Sequence, residues 1–319
     1  MSKYNNFIGI DIGKFSFVAT LHGSKHVFEY DNNSSGIRAF LKAFRKELPK
    51  SLVVLETTGG CEMKLLLTLC EKNYAVHRAN TRKVKSFIRS FGNRAKTDAL
   101  DAKALAFYGL ERQTLLDIYT PPSQNAFILY ELVQRRKDLT QMLVAEKNRL
   151  KSPKASFIKS SFQSMIQSIS LQIEQITAQI KELIDSDSVL LARQKTLQTI
   201  PGVGEKISQD LLALMPELGT FNRRQVASLA GLAPRANDSG KFQGYRRTGH
   251  GRDCVKPVLF LAAMAARNSH SHLKAFYNNL IERGKKKMVA LTALMRKIIV
   301  IANAKLKELK LDDLPQQHS

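Results

Sequence analysis

The chain has 319 residues, 44% hydrophobic and 24% charged, enough for two or three domains with a sizeable core. Lys and Arg number 50 against 27 Asp and Glu, and the resulting net charge of +23 points to polyanionic partners, nucleic acid first. No apolar run reaches the length of a membrane span, and the first residues lack the apolar region of a signal peptide. Cys61, Cys70 and Cys254 are too few and too scattered for a disulfide framework or a zinc site, so a reducing cytoplasm is expected.

Phe7 to Gly13 reads as a buried strand with Asp11 near its end, and Phe15–Leu21 and His26–Tyr30 as two more strands. Ser34 to Leu48 has helical spacing, with Ser34 or Ser35 as the cap. Leu52 to Glu56 is a short apolar strand ending in a carboxylate and followed by Thr57-Thr58-Gly59-Gly60. A helix over Cys61–Glu71, a strand over Tyr74–Ala79 and a helix from Thr81 complete an order of β-β-β-α-β-α-β-α. That order predicts a mixed sheet covered by helices. Next comes an Ala/Leu-rich helix in which Asp98 and Asp101 stand three residues apart, on one face, behind Thr97 as N-cap.

Taken singly, the Asp98/Asp101 pair would serve an ordinary helix start, where acids offset the dipole. The placement of the other acids makes a site of it. Asp11 and Glu56 end apolar strands, where α/β sheets carry ligands and where a carboxylate is costly unless paired or metal-bound. Four oxygen donors without a neighbouring Cys or His suit Mg²⁺ or Mn²⁺, and two such ions are suited to phosphodiester chemistry.

Pro121-Pro122 marks a boundary. Positions 129, 132, 136, 139, 143, 146 and 150 hold Leu, Leu, Arg, Leu, Leu, Glu and Leu, and 162 to 183 hold Phe, five Ile and Leu at the same heptad spacing. This predicts two long helices forming either a hairpin within one chain or a dimerisation arm, with Ser152-Pro153 between them. Arg135, Arg136, Lys147, Arg149 and Lys151 make the first helix and the turn basic, and with Lys96, which flanks the acid pair, all six are candidate nucleic-acid contacts. Ile200-Pro-Gly-Val-Gly-Glu-Lys-Ile207 resembles a helix-hairpin-helix, in which Gly202, Gly204 and Lys206 would approach phosphate. The polar stretch 235–252 carries Lys241, Arg246, Arg247 and Arg252, further candidates for substrate phosphate. Helices are expected from Asp253 to Arg267 and Met288 to Leu309.

G-I-D-I-G-K, L-E-T-T-G and K-T-D-A-L-D-A-K, in this order, resemble the DEDD transposases of bacterial insertion sequences. L-x-x-I-P-G-V-G, A-S-L-A-G-L-A-P and the S-G-K…G-x-G-R loop resemble the second domain of the same family. The resemblance implies an α/β plus α protein in three segments. These are an RNase H-like, RuvC-type catalytic domain over 1–120, a coiled-coil arm over 121–188 and a mainly helical transposase domain over 189–319. It implies Asp11, Glu56, Asp98 and Asp101 as catalytic metal ligands and Ser239 as recombination nucleophile. It further implies donor and target DNA and a structured bridge RNA as partners, in a bacterial cytoplasmic, nucleoid-associated setting. The separation of 138 positions from Asp101 to Ser239 leads us to expect a homo-oligomer, dimer or tetramer, with a site shared between chains. Two other readings fit the residues less fully: a RuvC-like metal-dependent nuclease, and a non-enzymatic nucleic-acid-binding protein.

Overall fold

A computed structural model describes residues 3–91, 97–152, 157–236, 238–240, 242–244 and 246–309. The chain divides into two compact units, Met1–Pro121 and Pro122–Ser319.

In the first unit β1 (Asn6–Ile12), β2 (Ser16–Leu21), β3 (Phe28–Asp31), β4 (Ser51–Glu56) and β5 (Ala75–Ala79) form one sheet in the order β3-β2-β1-β4-β5. The first three strands pair antiparallel, whereas β1 with β4 and β4 with β5 pair parallel. Parallel neighbours need crossover connections, and α1 (Ser34–Ala43) and α2 (Met63–Glu71) lie on them. The central strands are nearly unbroken apolar runs because both faces are covered. Ile8, Ile10, Ile12, Val53 and Leu55 pack with Phe40 and Leu66, while Phe7, Leu52 and Val54 pack with Val84 of α3 (Thr81–Ser90) and Leu105 of α4 (Asp98–Arg112).

The element order is the expected one, with two local corrections. Asn33, not Ser34 or Ser35, caps α1, its Oδ1 accepting from the amides of Ser35 and Gly36, both at 2.9 Å. The same helix stops at Ala43 instead of running to Leu48. The chain instead makes a 3-10 turn over Leu48–Lys50, a position that tolerates Pro49 where a helix interior would not.

The second unit opens with α5 (Gln124–Leu150) and α6 (Lys159–Ser186). They form an antiparallel hairpin: Asn125 near the start of α5 bonds to Asp187 just after α6 at 2.9 Å, and Leu129 and Val133 share a core with Ile180 and Ile184. The roots of the two helices therefore close on each other within one chain. The expected turn at Pro153 lies outside the described residues. Following are α7 (Ser188–Gln198), α8 (Glu205–Leu214), α9 (Arg223–Leu229), the short strands β6 (Asp238–Ser239) and β7 (Phe242–Gln243), α10 (Val255–Asn268), α11 (His272–Glu282) and α12 (Lys287–Glu308). Leu211, Leu259, Leu294 and Ile298 form the centre of this core. α11 had no place in the sequence expectation; Leu273 is its one fully buried residue.

Arg136 is corrected here. It was expected on a basic surface, but it is 2% exposed, its Nη1 donating to Gln209 Oε1 at 2.7 Å and its Nη2 to Asp210 Oδ1 at 2.8 Å. It occupies an apolar heptad position because α8 sets the buried Gln209 and the half-buried acid Asp210 opposite. Burial raises the Asp210 pKa and the Arg136 guanidinium opposes that rise. Arg136→Ala, which strands Asp210, should destabilise the protein by about 3–5 kcal/mol in urea unfolding. Arg136→Met with Asp210→Leu should cost much less, and neither change should alter the salt dependence of nucleic-acid binding.

Candidate active site

The acid site begins with a register. Gly9 of β1 lies opposite Val54 of β4, and Ile10 opposite Leu55, so Asp11 and Glu56 follow side by side at the ends of adjacent parallel strands. Such strands are about 4.8 Å apart. Alternation puts Gly9 and Asp11 on one face of the sheet, and Val54 and Glu56 on that same face. This is the face that α4 covers. A Cβ on Gly9 would stand 2.0 Å from the Ala102 carbonyl oxygen and 2.3 Å from the Ala106 amide nitrogen, so only glycine lets α4 lie this close. A Cβ on Gly109 would likewise meet Val54 Cγ2 at 2.9 Å.

Thr97 caps α4 as expected, its Oγ1 accepting from the Leu100 amide at 3.3 Å, and Asp98 and Asp101 occupy the first turn. Their effect on Asp11 is direct. Burial first, then the charges of Asp101, Asp98 and Glu56, raise the Asp11 pKa to about 6, against one hydrogen bond from the Ile12 amide that lowers it. None of the four acids makes an ion pair with a described residue. Among the described residues no three Asp, Glu, His or Cys side chains lie close enough to hold a metal ion, so the acids are coupled through space without converging.

Two supports escaped the sequence reading. Glu62, expected as an ordinary helical residue, is fully buried. Its Oε2 accepts from Thr58 N and Thr58 Oγ1, both at 3.1 Å, and from Gly60 N at 2.9 Å, while Arg78 Nε donates to Oε1 at 3.2 Å. Burial pushes its pKa up, but Arg78 and these donors outweigh that and hold it below the usual range. The loop that follows Glu56 is thereby clamped. Asn32 Nδ2 donates to the carbonyls of Gly13 at 2.9 Å and Cys61 at 3.0 Å, tying the segment after β1 to the one after β4. A Glu six residues beyond the strand-end acid and an Arg on the next strand were the available signal for the first support, but nothing in the sequence paired them.

In the second unit Ser239 is exposed on a hairpin in which it pairs with Phe242 and Asp238 with Gln243. Gly240 at the turn has φ +56, in the left-handed region. Asp238 is engaged by Arg246 Nη1 at 2.7 Å to both carboxylate oxygens and by the Gly244 amide at 3.2 Å. Arg246 is thus an ion-pair partner as well as an exposed cation.

The remaining phosphate candidates separate. Arg135, Lys147, Arg149, Lys151, Lys206 and Arg247 are exposed, with Arg149 paired to Glu146. Arg252 is corrected: its guanidinium is occupied by both carboxylate oxygens of Glu217 and by the Leu214 carbonyl at 2.8 Å. Gly202, at φ +86, is needed by packing, since a Cβ there would meet Ala262 O of α10 at 2.4 Å. Gly204 faces open space at the N-cap of α8. Lys96 and Lys241 lie outside the described residues.

Residues 8–153 match the family model DEDD_Tnp_IS110, described as "Transposase", and residues 194–278 match one described as "Transposase IS116/IS110/IS902 family". The chain is 29% identical over 317 residues to the "Pilin gene-inverting protein" of Moraxella lacunata and to that of Moraxella bovis, covering 97% of this chain and of each relative. It is 29% identical over 150 residues to the "Insertion element IS110 uncharacterized 43.6 kDa protein" of Streptomyces coelicolor, which is 46% of this chain and 36% of that one.

The raised Asp11 pKa fixes a pH dependence. Because the folded protein binds this proton more tightly than the unfolded chain, stability falls as pH rises from about 4 to about 6 and the penalty is complete above that. Asp11→Asn should therefore raise the melting temperature at pH 7.5, by about 2–4 °C, while leaving it close to the parent's at pH 4. Gly9→Val should lower it at both values, because it drives α4 off the sheet.

Proposed function

The chain belongs to the IS110 family of transposases, enzymes of DNA transposition and recombination, and on that premise we propose that it is an RNA-guided recombinase of donor and target DNA. The observation that carries this reading is Asp11, whose pKa is driven up by burial and by the three other acids on one face of the sheet. In it Asp11, Glu56, Asp98 and Asp101 hold Mg²⁺ or Mn²⁺. The chemistry of the donor set suits such an ion, with four carboxylates, no ion pair to a described cation and a repulsion that a divalent cation would relieve, although among the described residues no three of them stand within reach of one ion. When bound, the ion supplies Lewis acidity toward a phosphodiester. The mixed sheet, with three antiparallel strands followed by two parallel ones, supports an RNase H-like, RuvC-type assignment for this unit. The turn between α7 and α8 supports a helix-hairpin-helix reading.

Ser239 is the nucleophile in this proposal. Its Oγ forms a bond to phosphorus as the bond from phosphorus to a deoxyribose oxygen breaks, the hydroxyl proton passing to a base and the leaving oxygen taking up another. The phosphoserine ester keeps the bond energy that rejoining needs. Exposure on a hairpin supports the assignment, and Asp238, held by Arg246, is not the base. Relatives named for inverting a pilin gene favour rejoining over simple hydrolysis. The basic C-terminal third, at +13, suits the backbones of DNA and of a guide RNA, in a homo-oligomer.

With donor and target DNA, Mg²⁺ and copurified RNA, the parent protein should yield a protein–DNA adduct on a denaturing gel. Ser239→Ala should yield none, Asp11→Asn or EDTA should slow strand exchange by about 10²–10⁴-fold, and ribonuclease treatment should abolish sequence-specific exchange. An adduct formed by Ser239→Ala would refute the nucleophile assignment.

A further inference from the structure

In the first unit, a cavity of about 690 Å³ lies between the end of β5, α3 and the C-terminal part of α4, within the size range of small-molecule sites. Its cations are Arg78, Arg82, Lys83 and Arg112, and among the described residues its one acid is Asp117. Arg78 is neutralised by Glu62, so the charge of the cavity rests on Lys83 and Arg112, neither of which makes an ion pair with a described residue. The α3 amides do not add to this, because the Asn80 side chain already accepts from those of Arg82 and Lys83.

One wall is aromatic. Phe87 meets Tyr108 edge-on with ring centroids 5.1 Å apart, and the Arg112 guanidinium lies 5.9 Å from the Phe87 ring centre. Phe87 is also braced by Phe91 at 5.0 Å and Phe107 at 5.7 Å, so the wall is set before any ligand arrives. His77 faces the same cavity. Its Nδ1 lies 2.7 Å from the Asp117 carbonyl oxygen, which can only accept, so Nδ1 carries the proton and Nε2 is left as an acceptor.

Cations beside a pre-formed aromatic wall fit an unpaired nucleotide, its phosphate held by the cations and its base against the ring. A duplex phosphate backbone would use the charges but not the wall. We infer that this cavity is a binding site for one unpaired nucleotide of single-stranded nucleic acid. The site lies within the first unit, and the inference rests on nucleic acid being the substrate class without depending on the chemistry of Ser239.

The test uses the full chain carrying Ser239→Ala, so that binding is scored apart from strand cleavage. The probes are a labelled single-stranded oligoribonucleotide, the oligodeoxyribonucleotide of the same sequence, and the fully paired DNA duplex. Adding Lys83→Gln and Arg112→Gln together should weaken single-strand binding about tenfold and duplex binding far less. Equal losses on single strand and duplex, or no loss, would overturn the site. Stronger binding of the RNA probe, or of the DNA probe, would support it and identify the strand type that it holds. Phe87→Leu, which keeps an apolar side chain, should relieve the quenching of a 2-aminopurine in the single strand, with the melting temperature confirming a folded protein. If Phe87→Leu does not fold, the charge variants decide alone. Should the site fail while the parent's Ser239-dependent adduct persists, the recombinase reading is untouched.

Discussion

The close approach of α4 to β1 is the constraint on which the acid site depends. Asp11, Glu56, Asp98 and Asp101 repel one another, so electrostatics cannot assemble them. Packing does. Gly9 on the sheet and Ala102 and Ala106 on the helix remove the side-chain bulk that would hold the two elements apart, and Leu105 beside them is buried. The helix therefore rests almost on the strand backbone, and its first turn is carried to the strand ends. Apolar burial offsets the repulsion, and the residual strain is visible in the proton affinity of Asp11.

Much of this unit was legible in the sequence. Short apolar runs bounded by turns gave the strands, and Thr97 ahead of an Ala/Leu-rich segment gave the helix start. Strand ends carrying acids located the site, because a carboxylate after a buried run is conspicuous. What stayed hidden depends on a partner distant in sequence. Gly9 has no side chain to form a pattern, and its role exists only against Ala102. Glu62 and Arg136 look like solvent-facing charges until Arg78 and Asp210 are set opposite them. The heptad stripes were equally plain, but periodicity states that a face is buried without stating what buries it.

The two sets of proposed catalytic groups have different mechanical settings. The acids stand on a packed sheet and helix, with the adjoining loops tied by Glu62 and Asn32. Ser239 stands on a two-residue strand with an open glycine turn beside it, held by the Asp238–Arg246 pair. A charge-binding constellation gains from rigidity. A group that must bond to a strand and later release it gains from a support that yields.

The α5/α6 hairpin is a cantilever. Its root is fixed by Leu129, Val133, Ile180 and Ile184 and by the Arg136–Asp210 pair, all continuous with the core of the second unit. Farther out, Phe162 and Ile166 are only half-buried, and Met142, Val144, Met165 and Leu171 lie open to solvent. At 1.5 Å per residue the 27 residues of α5 extend about 40 Å, close to the length of 12 base pairs. Resistance to opening therefore grades along the arm, and amide exchange will run from the outer turns of the two helices toward the root. Such a beam can bend along the outer turns of its two helices while the core that anchors it stays closed.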